Sequence, residues 1–312
     1  MIVLRVYLVK GEILMKRTRM IVVLLILFML TGCGRCAQTL LTTAPQINMG
    51  IAKEQDSQNA ETDSPSVTVT AFDAGAADAI VLISKNNVIL IDTGYEKKAN
   101  KLVKSLKKLG VTRIDELIIS HHDNDHIGGA DHIIKEFDIG TIYTTYPSMG
   151  SEEIAECLQA VAAKGLEPTV VTQEMSFTAD GVVYTIYPPQ KKTYSRKVSN
   201  NSSLAVLVNA GGSTMLFTGD AEKERIEELI QIKDLKCDVL KVPHHGRTDE
   251  LTKALIDYVK PSYAIITSSN NKPEHQKVKD ILSAAGTETY LTREGNVTII
   301  LSEGSIEISQ LK

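Results

Sequence analysis

The sequence predicts an α/β fold in which two β-sheets pack face to face and helices cover both outer faces, giving four layers in the order αββα. Two observations carry this prediction. From residue 66 onward short apolar strands alternate with helical patterns, and each half of this region opens with several strands before its first helix. Because a sheet with two apolar faces must cover both of them, the stable arrangement packs the sheets together and places the helices outside.

The first half opens with three strands, in "SVTVTAFDAG", "AIVLIS" and "NVILIDTG", and the last two form a hairpin through residues 85–87. In the next segment, "KKANKLVKSLKKLG", apolar residues recur at helical spacing, lysines occupy the other faces, and Gly110 ends the helix. Strands and helices then alternate in "IDELIIS", "GADHIIKEF", "GTIYTT" and "EEIAECLQAVAAKG".

The second half follows the same plan. Its strands are predicted in "TVVT", "VVYTIYP", "SLAVLVNA", "TMLFTGD", "CDVLKVP" and "YAIITS". Its helices are predicted in "EKERIEELIQI", "TDELTKALIDYV" and "HQKVKDILSAAG", and "ETYLTREGNVTIILS" closes the fold. The two halves share no sequence repeat strong enough to indicate duplication.

Residues 1–32 have the pattern of an export signal whose true start is Met15. A basic cluster precedes the apolar run 21–30, which is short for a membrane span. The residues "LTGC" that end in Cys33 resemble the lipobox of bacterial lipoproteins, which implies lipid attachment at Cys33 and a position on the extracytoplasmic face of the cell membrane. A plain signal anchor, or a cleaved peptide with an ordinary cysteine, is the alternative.

Residues 33–65 are polar and lack a sustained period, which predicts a flexible tether before the folded domain 66–312. Removal of the signal would take the net charge from −4 to −8, because the removed segment carries a net +4. An acidic exported domain is a poor nonspecific binder of nucleic acid, so any polyanion must be held locally. Cys157 and Cys237 are isolated in sequence and are predicted to be buried free thiols.

Ionisable residues gather behind the predicted strand "ELIIS", in the segment "HHDNDHIGG". His121, Asp123, Asp125 and His126 bring imidazoles and carboxylates together without a basic residue among them, and such a group is stable around a cation. The glycine pair 128–129 permits a tight turn into the next helix. The segment therefore predicts a metal site, against the alternative of helix caps and solvated loop residues.

Two later strand ends carry residues of the same kind. Asp220 follows "MLFTG", although an aspartate that caps the next helix is a common alternative. His244 and His245 follow "VLKVP" and precede a glycine. Because these strand ends are predicted at the same edge of the sandwich as the first cluster, a shared site explains all three.

The segments "FDAGAADAIVL", "ILIDTG", "SHHDNDHIGG", "NNSSLAVLV", "FTGDAE" and "LKVPHHG" together resemble the metallo-β-lactamase fold, and within it the hydrolase domain of the ComEC DNA-uptake family. The resemblance covers nearly all of residues 67–311. It implies a metal-dependent hydrolase built on the four-layer αββα metallo-β-lactamase sandwich. The general motif His-x-His-x-Asp-His becomes His121-x-Asp123-x-Asp125-His126 here, as in the ComEC branch.

The resemblance also implies the ligand sets of two divalent ions. His121 and Asp123 would serve one ion, Asp125, His126 and one histidine of "HHG" the other, and Asp220 would bridge them. His245 is preferred to His244 as that ligand, because relatives often place one residue between strand and ligand. His244 would then either support a ligand from behind or face the substrate.

This sequence departs from the family at "SNNSS", where many relatives have a histidine, so Asn200 or Asn201 would hold water, substrate or a metal weakly. The ions are expected to be Zn²⁺ or Mn²⁺, and the oxygen-rich first set favours Mn²⁺ or Mg²⁺ more than an all-histidine site would. "DAGAADA" also lacks the Gln-Gly usual after its first aspartate and glycine. Asp73 and Asp92 are predicted to orient loops and ligands without touching the ions.

Hydroxide generated between two metal ions suits phosphodiester hydrolysis as well as ester or amide hydrolysis. Asp125 is the candidate proton acceptor and His244 the second candidate catalytic residue. Lys192 and Arg196, in "PQKKTYSRKVSN", would clamp an anion, against the alternative of a solvated loop.

The leading hypothesis is therefore a surface-anchored phosphodiesterase that acts on an anionic small molecule or polymer, with DNA as one candidate. A lactonase or β-lactamase-type hydrolase and a noncatalytic binding lipoprotein are the alternatives.

Overall fold

The structure is a computed structural model that describes residues 64–147 and 150–310. The signal segment 1–32, Cys33 and the tether up to residue 63 lie outside the described residues, and their assignments stay predictions. Among the helices of the described ranges, none combines the length and hydropathy that a membrane crossing requires.

The first sheet has eight strands in the order β15-β14-β1-β2-β3-β4-β5-β6. Strands β3 to β6 run parallel, and the other pairs are antiparallel, including the predicted β2–β3 hairpin. The bounds are β1 Ser66–Ala71, β2 Ala79–Ile83, β3 Val88–Thr93, β4 Arg113–Ile119, β5 Asp138–Thr144, β6 Thr169–Val170, β14 Val297–Ser302 and β15 Ser305–Gln310.

The second sheet has seven strands in the order β13-β12-β11-β10-β9-β8-β7. It repeats the plan of the first, since β10 to β13 are parallel and β7 to β10 are antiparallel. The bounds are β7 Met175–Ala179, β8 Val182–Tyr187, β9 Ala205–Ala210, β10 Ser213–Phe217, β11 Val239–Lys241, β12 Tyr263–Ile266 and β13 Glu288–Leu291.

Most of the helices follow the strands of the two parallel halves. Their bounds are α1 Ala99–Lys108, α2 Asn124–Ile127, α3 Ala130–Glu136, α4 Glu152–Ala163, α5 Val198–Asn201, α6 Lys223–Leu229, α7 Thr252–Val259 and α8 Gln276–Ala284. Short 3₁₀ turns lie at Glu96–Lys98, Pro243–Gly246 and Thr292–Glu294.

Three apolar clusters separate the layers. The central one joins the inner faces of both sheets, with Val69 and Leu82 from the first and Tyr184 and Val206 from the second. A second cluster lies between the first sheet and α1, α3 and α4, and a third lies between the second sheet and α6, α7 and α8. Helix, sheet, sheet and helix follow one another, so the predicted αββα fold is confirmed.

Two edge strands, β7 and β15, were not predicted from the sequence. Both alternate between partly buried and exposed residues along their whole length. An edge strand pairs on one side only and needs no long apolar run, so its sequence pattern is weak.

Candidate metal centre

The first ligand residues lie where β4 leaves the sheet. The chain runs extended through Asp123 and then turns into the short helix α2. Gly128 and Gly129 follow, and a Cβ at Gly128 would stand 2.4 Å from the carbonyl oxygen of Asn124. Gly128 has a φ of −55°, an ordinary helical value. The glycine pair is thus required by close backbone packing, where the sequence analysis had expected a tight turn.

Four side chains converge at the carboxyl ends of strands from both sheets, and we call Asp125, His126, Asp220 and His245 the quartet. One nitrogen or oxygen atom from each lies within 4.8 Å of the others. His126 Nε2 is 3.1 Å from Asp220 Oδ1, and His245 Nε2 is 3.3 Å from Asp220 Oδ2. His245 Nε2 is also 3.5 Å from Asp125 Oδ2. This is the group that the sequence resemblance assigns to one ion and its bridging carboxylate.

The polar atoms of the quartet are arranged to bind a metal ion and not to form hydrogen bonds with each other. His126 Nε2, His245 Nε2 and Asp220 Oδ1 are buried but make no hydrogen bond among the described residues. The 3.1 Å contact of His126 with Asp220 does not have hydrogen-bond direction. A buried polar atom without a partner costs about 1–3 kcal/mol. Imidazole nitrogens and carboxylate oxygens around a common point are the donor set of a divalent transition metal.

His121 and Asp123 form the second predicted pair beside the quartet. His121 Nε2 lies 3.7 Å from Asp123 Oδ2, is buried, and also lacks a hydrogen-bond partner in the described chain. The ring centroids of His121 and His126 are 4.0 Å apart. The Nδ1 atom of His121 faces the hydroxyl groups of Ser120 and Ser203, at 3.1 and 3.4 Å. Its Nε2 atom is thereby the one turned toward Asp123.

Asp92 holds His126 from behind. The Asp92 carboxylate lies 2.7 Å from His126 Nδ1 and accepts hydrogen bonds from the backbone N–H and hydroxyl of Ser120. All three side chains are buried. A carboxylate behind a ligating imidazole fixes the ring and leaves its Nε2 atom for a metal. The structure thus places Asp92 where the sequence analysis expected it.

Asp78 plays the same part for His245. Its carboxylate oxygen Oδ1 accepts a 2.6 Å hydrogen bond from Thr267, whose hydroxyl oxygen lies 3.0 Å from His245 Nδ1. Asp78 Oδ1 itself is 3.4 Å from His245 Nδ1. The backbone N–H of Asp78 also donates to the carbonyl oxygen of Asp125. Asp78 therefore links the loops that carry two members of the quartet.

A lysine is buried next to this network. Lys241 has no exposed surface, forms an ion pair with Asp78, and lies 3.8 Å from Asp220 Oδ1. Its ammonium group also donates to the carbonyl oxygen of Gly219 at 3.0 Å. Burial lowers the pKa of Lys241, but the two carboxylates outweigh burial and raise it, so the lysine is charged. The positive charge of Lys241 and the negative charge of Asp78 thus compensate one another in the protein interior.

The carboxylates also control the protonation of the quartet. Burial disfavours the charged form of His245, but Asp220, Asp125 and Asp78 outweigh it and raise its pKa to about 10. Burial acts in the opposite sense on Asp125, but His245 and His126 lower its pKa to about 2. Protons and metal ions therefore compete for the same nitrogen atoms, as is general for imidazole ligands.

The turn Pro243–Gly246 separates the roles of its two histidines. His244 and His245 both adopt left-handed backbone conformations, with φ of 48° and 52°. This twist turns His245 into the quartet, where its side chain is 3% exposed, while that of His244 is 22% exposed. His244 Nδ1 lies 3.1 Å from Glu222 Oε1, and its Nε2 lies 3.9 Å from Asp220. His244 thus stands at the rim of the site.

The prediction for Asp73 is wrong, because its side chain does not reach the cluster. The Asp73 carboxylate forms ion pairs with Lys98 and Lys101 at 3.7 and 3.4 Å on the surface. Asp78, five residues later, holds the position that Asp73 was expected to hold. The signal in the sequence for Asp78 was its place directly before the buried strand β2. Lys241 likewise follows apolar residues of a buried strand, and a charge in such a place needs a partner.

The prediction that Asn201 contacts water, substrate or metal is wrong, because both the nitrogen and the oxygen of its amide form hydrogen bonds within the protein. Its nitrogen donates to the carbonyl oxygen of Arg196, and its oxygen accepts from the backbone of Arg225. Asn200 donates to Glu222 at 2.8 Å. Both asparagines are buried, so they shape the loop and do not present their amides to a substrate.

The cationic loop borders the site. Lys192 and Arg196 are exposed, and the neighbouring residues Thr193, Val198 and Ser199 line a groove of about 500 Å³ that reaches Asp123. Lys192 and Arg196 are thus sequence neighbours of residues that line this groove.

A family model of the metallo-beta-lactamase superfamily matches residues 72–268. ComE operon protein 3 of Bacillus subtilis (strain 168) is 30% identical over 185 residues, which cover 58% of this chain and 24% of that protein. Competence protein ComA of Neisseria gonorrhoeae is 29% identical over 252 residues, which cover 78% of this chain and 34% of that protein. The chain thus spans a minor part of the length of these relatives.

The metallo-beta-lactamase fold protein YhfI from Bacillus subtilis superposes with a TM-score of 0.51 at 12% sequence identity, covering 78% of this chain and 100% of that chain. A likeness at this identity concerns the fold alone. The family match, in contrast, extends over more than half of the 312 residues and includes the quartet. The chain belongs to the metallo-beta-lactamase superfamily, and ComEC-type competence proteins are among its homologues.

Proposed function

We propose that the protein is a metal-dependent phosphodiesterase. The observation that carries the proposal is the convergence of unpartnered, buried imidazole and carboxylate atoms from His121, His126, Asp220 and His245. Asp123 stands where most of the superfamily has a histidine, which makes the donor set rich in oxygen. Such a set favours hard ions, and these are well suited to phosphate oxygens. The names of the competence relatives agree with a nucleic-acid substrate, although a smaller diester fits the same chemistry.

In the proposed mechanism, the quartet, His121 and Asp123 would hold two divalent ions, Zn²⁺ or Mn²⁺. Such ions, when bound, lower the pKa of water and stabilise charge on the phosphoryl oxygens. Asp125 is the member of the quartet whose side chain is 23% exposed. Because water can reach this carboxylate, it can accept a proton from the attacking water. His244, at the rim, faces the substrate.

The experiment is hydrolysis of bis(p-nitrophenyl) phosphate, single-stranded DNA and nitrocefin by protein loaded with Mn²⁺ or Zn²⁺. We expect turnover of a phosphodiester, and His245→Ala should lower kcat by about 1,000-fold or more, because several kcal/mol of charge stabilisation would be lost. His132→Ala, on α3, is the matched control and should retain activity. Cleavage of nitrocefin without any diester cleavage would favour the lactamase alternative, and inactivity with bound metal would favour a binding protein.

The anion clamp is tested separately with Lys192→Ala combined with Arg196→Ala. If these residues hold the phosphate, the KM for an anionic diester should rise about tenfold for each lost contact of about 1.4 kcal/mol. The effect should shrink with salt, which screens exposed charges. Lys104→Ala with Lys108→Ala on α1 is the control. An unchanged KM at low salt would make the loop a solvated connection.

We also propose that the mature protein is anchored to the extracytoplasmic face of the cell membrane through Cys33. The support is the sequence of residues 15–33, with its basic start, apolar run and small residues before the cysteine. Mass spectrometry of the membrane fraction should find a mature terminus at Cys33 that carries lipid, and Cys33→Ser should leave the precursor unprocessed. A wild-type terminus elsewhere would contradict the anchor.

A further inference from the structure

An apolar cavity of about 250 Å³ lies beside the metal centre. It opens at the carboxyl ends of β4 and β5 and is bounded by α2, α4 and β6. Its wall is almost entirely apolar and includes His122, Thr144, Thr145, Cys157, Leu158 and Val170. Cys157 belongs to this wall. Its thiol is neutral, because burial raises its pKa to about 11.

The few polar atoms of the cavity wall are engaged with protein groups. His122 Nε2 lies 2.9 Å from the Thr144 hydroxyl, and the Thr145 hydroxyl donates to the carbonyl oxygen of Ser202. A ligand with polar edges would leave those edges without partners here, at a cost in free energy. The cavity therefore suits a group without hydrogen-bonding atoms.

Exposed apolar side chains gather around this cavity. Leu158 and Val170, in its wall, are 56% and 37% exposed, and Val198, in the adjoining groove, is 41% exposed. Large apolar side chains that remain in contact with water at one place are typical of a binding surface. These three come from α4, β6 and α5, so the gathering is produced by the fold.

The cavity and the metal centre are connected. The groove of about 500 Å³ shares His122 with the cavity and contains Asp123 of the predicted metal site. A ligand whose phosphate lies at the metal centre can thus extend one substituent past His122 into the cavity. An apolar cavity of about 150 Å³ accommodates benzene, so the larger volume here is sufficient for a short aliphatic chain.

We propose that this cavity binds an aliphatic arm of the substrate, so that the enzyme acts on phosphodiesters with an aliphatic chain on one ester oxygen. The proposal rests on the proposed function, which it makes specific. It favours a lipid-like diester over a nucleotide, because a nucleobase carries polar edges that the wall leaves unpaired.

The kinetic test compares methyl, butyl and hexyl p-nitrophenyl phosphate as substrates of the metal-loaded protein. We expect kcat/KM to rise about fourfold for each methylene group that the cavity takes. Leu158→Asp should flatten this dependence on chain length. Leu109→Asp, at a residue of similar exposure (47%) after α1, is the matched control and should keep it. Equal rates for all three esters, or a faster rate for the p-nitrophenyl ester of thymidine 5′-phosphate than for the hexyl ester, would overturn the proposal.

A binding measurement separates this proposal from the proposed function. In calorimetry, hexyl phosphate should bind more tightly than methyl phosphate, with the negative heat-capacity change that marks apolar burial, and Leu158→Asp should remove the difference. If this holds while no diester is cleaved, the cavity assignment stands and the phosphodiesterase falls. If diesters are cleaved but affinity does not depend on chain length, the phosphodiesterase stands and the cavity assignment falls.

Discussion

At Asp220 two imidazoles approach one carboxylate from different sides, His126 at Oδ1 and His245 at Oδ2. Burial raises the pKa of Asp220, but these two histidines outweigh it and hold the pKa well below its ordinary value. The carboxylate is therefore ionised and offers an oxygen atom to each side of the site. This geometry agrees with a bridging ligand, the role that the family resemblance gives it.

The first prediction compares two carboxylates in their effect on metal content. Asp220→Ala should reduce bound metal at least as much as Asp123→Ala, because Asp220 contacts two histidines of the quartet, whereas Asp123 is paired with one histidine, His121. The loss should exceed the roughly 10- to 100-fold weakening typical of changes behind the ligands. Elemental analysis after dialysis measures it. Full metal content in both variants would reject the ligand assignment.

The second prediction concerns the ion pair of Lys241. Lys241→Met leaves Asp78 and Asp220 buried with less compensating charge, and breaking a buried pair costs about 3–5 kcal/mol. We expect that loss in the free energy of unfolding of the metal-free protein, measured with urea. Adding Asp78→Asn should recover part of it, since the uncompensated charge is then removed.

The control for Lys241 is Lys253→Met, which removes an exposed ion pair with Asp257. Exposed pairs contribute about 0–1 kcal/mol, so this variant should remain close to wild type. A Lys241→Met protein as stable as the control would show that the buried charge is not needed.

At the scale of single residues, the sequence indicated the side chains that converge in the candidate site better than those that support them. His121, Asp123, Asp125 and His126 stand together in one segment, so their pattern is visible without a structure. Asp78 meets Lys241 only after both sheets have formed, and nothing in the intervening sequence relates them. The choice of Asp73 failed because the position of Asp78 directly before β2 indicates burial but does not show that Asp78 contacts the candidate ligands.

Among the elements, the turn that carries His245 is supported by the segment before α8. His275 donates a backbone hydrogen bond to the carbonyl oxygen of Gly246 at 2.9 Å. Glu274, with a side chain that is 1% exposed, accepts from Arg293 at 3.1 and 3.2 Å and from Ser268 at 2.8 Å. The segment 274–275 thus contacts the histidine turn through the backbone of His275 and the 3₁₀ turn Thr292–Glu294 through the Glu274 carboxylate.

The third prediction is the pH dependence of this support. Burial raises the pKa of Glu274, but hydrogen bonds from Arg293 and Ser268 outweigh it and lower the pKa to about 2. Since the folded pKa lies below the unfolded value of about 4.3, the stabilisation is complete above that value and is lost as pH falls toward 2. Glu274→Gln should therefore cost on the order of 2 kcal/mol near pH 7 and progressively less in acid.

Urea unfolding between pH 7 and pH 2.5 measures this difference. Glu227→Gln, which removes an exposed carboxylate on α6, is the control and should follow the wild-type profile. A Glu274→Gln protein that differs from wild type by the same amount at every pH would contradict the assignment.

Elements with long apolar runs were predicted well, and short or half-exposed ones were not. Helix α1 has a clear period over ten residues, and strand β4 ends in a continuous buried apolar run. Helices α2 and α5 have four residues each, too few for a period to show, although α2 contains two members of the quartet. Tertiary contacts of the surrounding loops determine such elements, and a single sequence does not display them.

In the whole molecule, the metal centre depends on both sheets. His121, Asp123, Asp125 and His126 follow β4 of the first sheet, whereas Asp220 and His245 follow β10 and β11 of the second. The backbone N–H of Leu204, before β9, donates to the carbonyl oxygen of Ser120 at 2.9 Å and joins the two edges. The site therefore forms only when the sandwich is assembled, and an ion that binds it stabilises the assembled fold.

The most direct test of the metal centre is anomalous X-ray diffraction from crystals grown with Mn²⁺ or Zn²⁺, recorded on both sides of the absorption edge of the metal. We expect a peak enclosed by Asp125, His126, Asp220 and His245, and a second peak next to His121 and Asp123 on the other side of Asp220. A protein whose anomalous peaks lie away from the quartet, or between Asp78 and Asp92 in the place of Lys241, would contradict this account.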